Sequence, residues 1–235
     1  MNLVNKLLLI AIFLLISAVD SHALQRKAVD FKLNNWDGKL VSMQELKGKI
    51  VILTFSYAYC SAICPIITGR LSSLDSTIDS PKGMVYLHVS VDPATDTPER
   101  RKNYFNLYGI DALKDGRWMF VSGENNELAR LWKFYGITMK KIKDKRLPEG
   151  YYIEYTPKVV VIDRNNVIRF ETAFDFSEEE LISQIQKLAL TAPVIRFNNT
   201  RYEFGSVKKG EIVKHDFEFV NEGNGLLKII DLIPA

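Results

Sequence analysis

The stretch KIVILTFSYAYCSAICPII, Lys49 to Ile67, decides the fold and holds both cysteines of the 235-residue chain, Cys60 and Cys64. Lys49 to Ser56 is a run of β-branched and aromatic residues with no polar alternation, bounded upstream by Gly48. Such a run reads as a strand buried on both faces, the kind found in a parallel sheet. After the cysteines, Ile67, Leu71, Leu74 and Ile78 recur at helical spacing, with a helix start at about Pro65 and an end at Pro81-Lys82-Gly83. Met84 to Val91 repeats the buried-strand pattern and completes a β-α-β unit.

The pattern continues outward from that unit. Thr97-Pro98-Glu99 opens a helix, with Thr97 as N-cap and Pro98 in the first turn. Arg117 to Val121 reads as a strand, and Leu128, Leu131, Trp132 and Tyr135 mark the next helix. Tyr155 to Ile162 and Val167 to Phe170 read as a hairpin turning at Asp163-Arg164-Asn165-Asn166. Ser177 caps a last helix carrying Leu181, Ile185 and Leu188. Strands alternating with helices and closing on a hairpin predict an α/β, thioredoxin-like three-layer fold over residues 24–192. After Thr191-Ala192-Pro193 the composition shifts to turn residues and short alternating runs, an all-β segment over 193–235. A complete sandwich of the immunoglobulin type needs about 100 residues. The segment is therefore expected either to be cut short or to lean on the first domain.

At the other end, Lys6, an apolar run from Leu7 to about Ile16 and the triplet Ser21-His22-Ala23 follow the order of a secretory signal peptide. Cleavage after Ala23 is expected, with export to the periplasm or the outer face of the cytoplasmic membrane. Membrane association follows if the segment stays attached. A net charge of +3 with 25% charged residues does not suit nucleic acid as a partner. The basic cluster Lys140 to Arg146 reads as a solvated loop, with docking of an acidic partner protein as the alternative.

The residues themselves leave three roles open for the cysteines: staple, redox couple or soft-metal clamp. A domain this large does not need a staple, and the loop closed is short. The pair follows a buried strand and opens a helix, at the carboxyl end of the sheet where active sites gather. The positive helix end favours thiolate, and two thiolates suit Cu(I) better than a hard ion.

The stretch Phe55 to Pro65 resembles the C-x-x-x-C-P signature of the Sco/SenC family, and Val89-Ser90-Val91-Asp92-Pro93-Ala94-Thr95-Asp96-Thr97-Pro98-Glu99 is similar to that family's S-V-D-P-x-x-D-T-P-E segment. The likeness covers roughly Ala28 to Leu190. It implies a thioredoxin fold and a role in copper delivery to cytochrome c oxidase, or in reducing the thiols of its copper site. It makes Cys60 and Cys64 both the redox thiols and the copper ligands. A client protein with thiols or a copper site, an oxidase subunit among them, is the implied partner. The family carries a third ligand, a histidine, on a late strand after an acidic residue. Here that place reads Glu154-Tyr155-Thr156-Pro157, so Tyr155 stands where histidine is expected. His22 falls in the leader, His215 in the C-terminal segment, and His88 reads as a core histidine inside a strand. Met139 is a conceivable soft donor, although a methionine more often packs. Thr156-Pro157 resembles the Thr-Pro of redox thioredoxins and peroxiredoxins, where a cis proline faces the reactive cysteine. That likeness adds Pro157 to the catalytic candidates, beside the plainer reading of a proline at a strand start. Asp92 and Asp96 read as turn and cap residues. Two readings without copper stay beside this one: a general extracytoplasmic thiol-disulfide oxidoreductase, and a non-catalytic binding module. The C-terminal segment, from Tyr202 to Glu211 and Phe217 to Gly223, is similar to the opening of a bacterial immunoglobulin-like family, which implies interaction rather than catalysis.

Overall fold

The structure is a computed structural model that describes residues 26–78, 83–111, 116–190 and 195–221, together with 193, 227 and 229. The expected signal peptide with His22, Pro81-Lys82, the expected Thr191-Ala192 boundary and most of the final run from Leu226 lie outside the described residues; the helix expected to stop at Pro81 already ends at Thr77, with Ile78 extended.

A short antiparallel pair, β1 (Leu33–Asn34) and β2 (Leu40–Val41), precedes the main sheet. The sheet contains β3 (Ile50–Ser56), β4 (Met84–Ser90), β5 (Trp118–Val121), β8 (Val159–Ile162) and β9 (Ile168–Thr172) in the spatial order β5-β4-β3-β8-β9. β3, β4 and β5 run parallel; β8 and β9 are antiparallel additions on the other side of β3. Every residue of β3, β4 and β8 is buried. This explains their continuous apolar runs: both faces of the sheet are covered, so no alternation is required.

The helices are α1 (Ile63–Thr77), α2 (Pro98–Asn106), α3 (Asn125–Tyr135) and α4 (Glu178–Leu190). In α1, Cys64, Ile67, Thr68, Leu71 and Leu74 form the buried stripe. Thr97 caps α2 as expected, its Oγ1 accepting from Arg100 N at 3.3 Å with Pro98 in the first turn. Ser177 Oγ accepts from Glu180 N at 3.2 Å at the start of α4. α3 ends on Gly136, whose φ of 67° is the left-handed conformation that glycine adopts without strain. The fold is thioredoxin-like, with the core on both sides of β3 and β4.

Two local expectations are corrected. Lys140 to Lys143 is not loop: Met139–Lys143 forms β6, paired antiparallel with β7, Tyr151–Tyr155. The run Tyr155 to Ile162 is not one strand either. Tyr155 pairs with Met139, whereas Val159 pairs with Thr54 and Thr172 in the main sheet. The break falls at Thr156-Pro157-Lys158, where proline cannot donate to a ladder. The predicted turn is present at Asp163–Asn166, where Asn166 takes a φ of 60° and its N–H donates to Asp163 O at 3.0 Å. In the C-terminal segment, β10 (Ile195–Phe197) pairs with β11 (Phe219–Asn221), and both strands are exposed throughout.

Candidate functional site

β3 delivers the chain to the carboxyl end of the sheet, where Tyr57 to Ala62 turn into α1. Cys60 N donates to Tyr57 O at 3.1 Å, closing that turn. The helix begins two residues before Pro65, so Cys64 lies in its first turn while Cys60 remains in the loop. The loop placement brings the two Cα atoms to 5.8 Å, and the cysteines are joined as a disulfide. That spacing is within the normal range for the bond. Cys64 is fully buried and Cys60 only partly so. Cys64 N–H donates to Cys60 Sγ at 3.2 Å, the interaction that favours negative charge on Cys60 once the bond opens.

Asp96 reads as a turn residue in the sequence, but its carboxylate does more. Oδ1 accepts from Ala58 N at 2.7 Å and Oδ2 from Ser90 Oγ at 2.5 Å, so the cysteine loop is tied to the end of β4. Burial raises the Asp96 pKa to about 7, against the pull of the Ser90 and Ala58 hydrogen bonds. Asp92 does make the expected turn, its carbonyl accepting from Thr95 N and Asp96 N. In addition its Oδ2 accepts from Tyr151 OH at 2.8 Å and Thr95 Oγ1 at 2.6 Å. A spacing of acidic residues before Thr-Pro looks the same in a plain cap, which is why these tethers are not legible in the sequence.

β7 closes the other side. Tyr155 OH donates to Phe55 O at 2.8 Å and lies 3.1 Å from Cys64 Sγ. Its ring meets Tyr57 edge-on at 6.4 Å, and Tyr57 OH accepts from Ile153 N at 3.3 Å. Burial pushes the Tyr155 hydroxyl well above the usual phenol range, with a smaller push from Tyr57. A cleft of about 400 Å³ opens onto this arrangement, lined by Cys60, Ile63, Leu147, Tyr152 and Tyr155 among others. The larger depressions elsewhere on the described surface contain no cysteine.

Of the sequence candidates, Cys60, Cys64 and Tyr155 therefore come together. Pro157 lies two residues beyond Tyr155, and no peptide bond among the described residues is cis, so the trans form replaces the cis proline suggested by the Thr-Pro likeness. Met139 sits opposite Tyr155 in the β6–β7 register, packs against the core and does not line the cleft. His88 is the core histidine expected: fully buried, with Nδ1 3.0 Å from Ser56 Oγ and Nε2 unpartnered. Burial lowers its pKa to about 3. Among the described residues, no three His, Cys, Asp or Glu side chains cluster as a metal site.

The family model described as SCO1/SenC matches residues 19–190, most of the chain and all of the elements that build the site. The chain belongs to this family. Among curated relatives of this Sco/SenC chain, the SCO1 protein homolog of Bacillus subtilis is 31% identical over 121 residues, 51% of this chain and 59% of that protein. The mitochondrial protein SCO2 of Saccharomyces cerevisiae is 24% identical over 159 residues, 67% of this chain and 51% of its own length. The chain thus spans between half and two thirds of these relatives. Bradyrhizobium japonicum ScoI, solved with copper bound, superposes with a TM-score of 0.56 at 25% identity, covering 69% of this chain and 99% of that one.

Proposed function

We propose that this chain is an exported Sco-type protein that supports assembly of a copper site, that of cytochrome c oxidase, by thiol-disulfide exchange at Cys60–Cys64. Cu(I) carried by the same two sulfurs is its cargo. One observation carries the reading: a disulfide with one partly exposed and one buried sulfur, at the start of α1 and open to a cleft. Reduction would release two thiolates four residues apart, a fitting donor pair for Cu(I), which accepts low coordination by soft ligands. Cu(II) is a poor fit. It asks for nitrogen donors, and the third group touching the sulfurs is a phenol that burial keeps protonated. Bradyrhizobium ScoI with copper bound supports the copper side of the reading by relation.

Tyr155 also favours a second reading, a thiol-disulfide oxidoreductase with another client and no copper. Two measurements on one reduced sample separate the two. Cu(I) is titrated against a competing chelator, and the Cys60–Cys64 potential is read against glutathione. Tight one-to-one Cu(I) binding, lost in Cys60→Ser, supports the copper reading. Negligible binding with a mid-range potential supports the second. A pair inert to both copper and glutathione refutes each of them and leaves a binding module.

A further inference from the structure

Tyr155 has one hydroxyl proton and two neighbours for it. Phe55 O lies at 2.8 Å and Cys64 Sγ at 3.1 Å. A disulfide sulfur is a weak acceptor, so in the oxidised protein the proton points to the carbonyl. A thiolate is a charged acceptor and forms the stronger bond. The two sulfurs also differ in access. An incoming thiolate can reach the partly exposed Cys60, whereas Cys64 is fully buried beneath Tyr155.

We propose that Tyr155 is a catalytic hydrogen-bond donor for thiol-disulfide exchange, turning from Phe55 O to Cys64 Sγ as the disulfide opens. The inference rests on the exchange reading above. A reductant dithiol supplies the electrons, recharging the pair for its client. The dithiol's first thiolate attacks Cys60 Sγ, forming a mixed disulfide, and the Cys60–Cys64 bond breaks with its electron pair on Cys64 Sγ. The Tyr155 proton stays on its oxygen and rotates by one hydrogen-bond position to meet the new charge. The second thiolate of that dithiol then attacks the mixed disulfide at the dithiol's own sulfur and releases Cys60 as a thiolate. The dithiol leaves oxidised, and this chain leaves with two thiols once solvent supplies their protons. The residue that departs from the histidine pattern is in this scheme a donor fitted to the leaving sulfur.

The test compares the oxidised full chain with its Tyr155→Phe, Tyr155→His and Tyr86→Phe variants in reaction with dithiothreitol, reading free thiol against time. Tyr155→Phe keeps the ring against Tyr57 and removes only the donor, and a lost bond to a charged acceptor is expected to slow the reaction by about ten-fold. The same loss makes the potential more negative by ~30 mV, the value of a tenfold change for a two-electron couple. Tyr86→Phe removes a tyrosine hydroxyl that donates to Asp75 Oδ1 at 3.0 Å, away from the cleft and both sulfurs, so its rate stays within about twofold. Tyr155→His restores an N–H donor and recovers the rate to within about threefold of the parent. Rates for Tyr155→Phe within twofold of the parent, or an equal drop in Tyr86→Phe, overturn the inference while leaving the exchange reading intact. A parent chain that does not react with dithiothreitol overturns both.

Discussion

Replacing Asp96 by asparagine should make the stability of this protein strongly dependent on pH where the parent is nearly indifferent. Two buried groups with opposite shifts produce this. His88 is held neutral in the aromatic surroundings of Tyr104, Phe105, Trp118 and Phe120, its pKa lowered from 6.5 to about 3 by burial. In the unfolded chain it takes a proton below 6.5, and in the folded one it does not until about 3, so it lowers stability as pH falls through that window. Asp96 works in the other direction. Its pKa is raised from 3.8 to about 7, again by burial, so the folded state binds a proton first. It therefore adds stability as pH falls from about 7 to 3.8. Between about pH 4 and 6.5 the unfolded chain carries one proton, on His88, and the folded chain carries one, on Asp96. Stability changes with pH by the difference in bound protons, so the two contributions cancel. An asparagine in place of Asp96 cannot take up a proton, and the His88 contribution is left alone at ~1.4 kcal/mol per pH unit. Urea unfolding followed by tryptophan fluorescence at intervals from about pH 4 to 6.5 should show the Asp96→Asn variant losing roughly 3 kcal/mol over the range. The parent should stay nearly level. Adding His88→Phe to the variant should level it again, because a phenyl ring suits the aromatic cluster and carries no proton. A parent that loses as much as Asp96→Asn, or a variant with no slope, refutes the assignment of these two groups.

Tyr155→His should bring an imidazole to the Cys64 sulfur, where the parent has a phenol at 3.1 Å. Titrating the reduced variant with Cu(II) should yield a visible sulfur-to-copper charge-transfer band that the parent lacks, and its absence would count against the placement of Tyr155. Gly136→Ala should cost ~1 kcal/mol, since residue 136 sits at a φ of 67° where a Cβ is strained; the denaturation midpoint measures it. Leu128→Ala should cost about 2–5 kcal/mol, because Leu128 is fully buried on the inner side of α3 and the cavity cannot collapse completely; chemical denaturation reads the loss.

The sheet and its helices are legible in the sequence because their signals are local. Ile50 to Ser56 and Met84 to Ser90 are buried on both faces, and Thr97 and Ser177 announce helix starts through cap chemistry that the structure reproduces. The cysteine pair and its place at the end of β3 are equally plain. The β6–β7 hairpin is not. Met139 to Lys143 carries three lysines and none of its residues is fully buried, so it becomes a strand only by pairing with the returning run from Tyr151 to Tyr155. The turn at the site edge hides for another reason. Asp92 and Asp96 fulfil ordinary turn roles, and only the three-dimensional approach of Ala58 and Tyr151 reveals their second bonds. Pro157, which the Thr-Pro likeness makes a cis residue facing the cysteines, is trans and serves to separate β7 from β8.

That separation has a consequence for how such a site changes over time. Tyr151, Ile153 and Tyr155 stand at alternate positions of β7, and each bonds a different part of the site: Asp92, Tyr57 and Phe55. They belong to a two-stranded sheet that is not part of the ladder carrying the core. The cysteines are fixed by β3 and α1, where any change disturbs close packing. The group facing them is mounted on a separate arm, so replacing it alters the chemistry offered to sulfur without asking the main sheet to repack. Donor identity at the third position is thereby set on a separate hairpin, with the Tyr155 hydroxyl on Phe55 O as its tie to the main sheet.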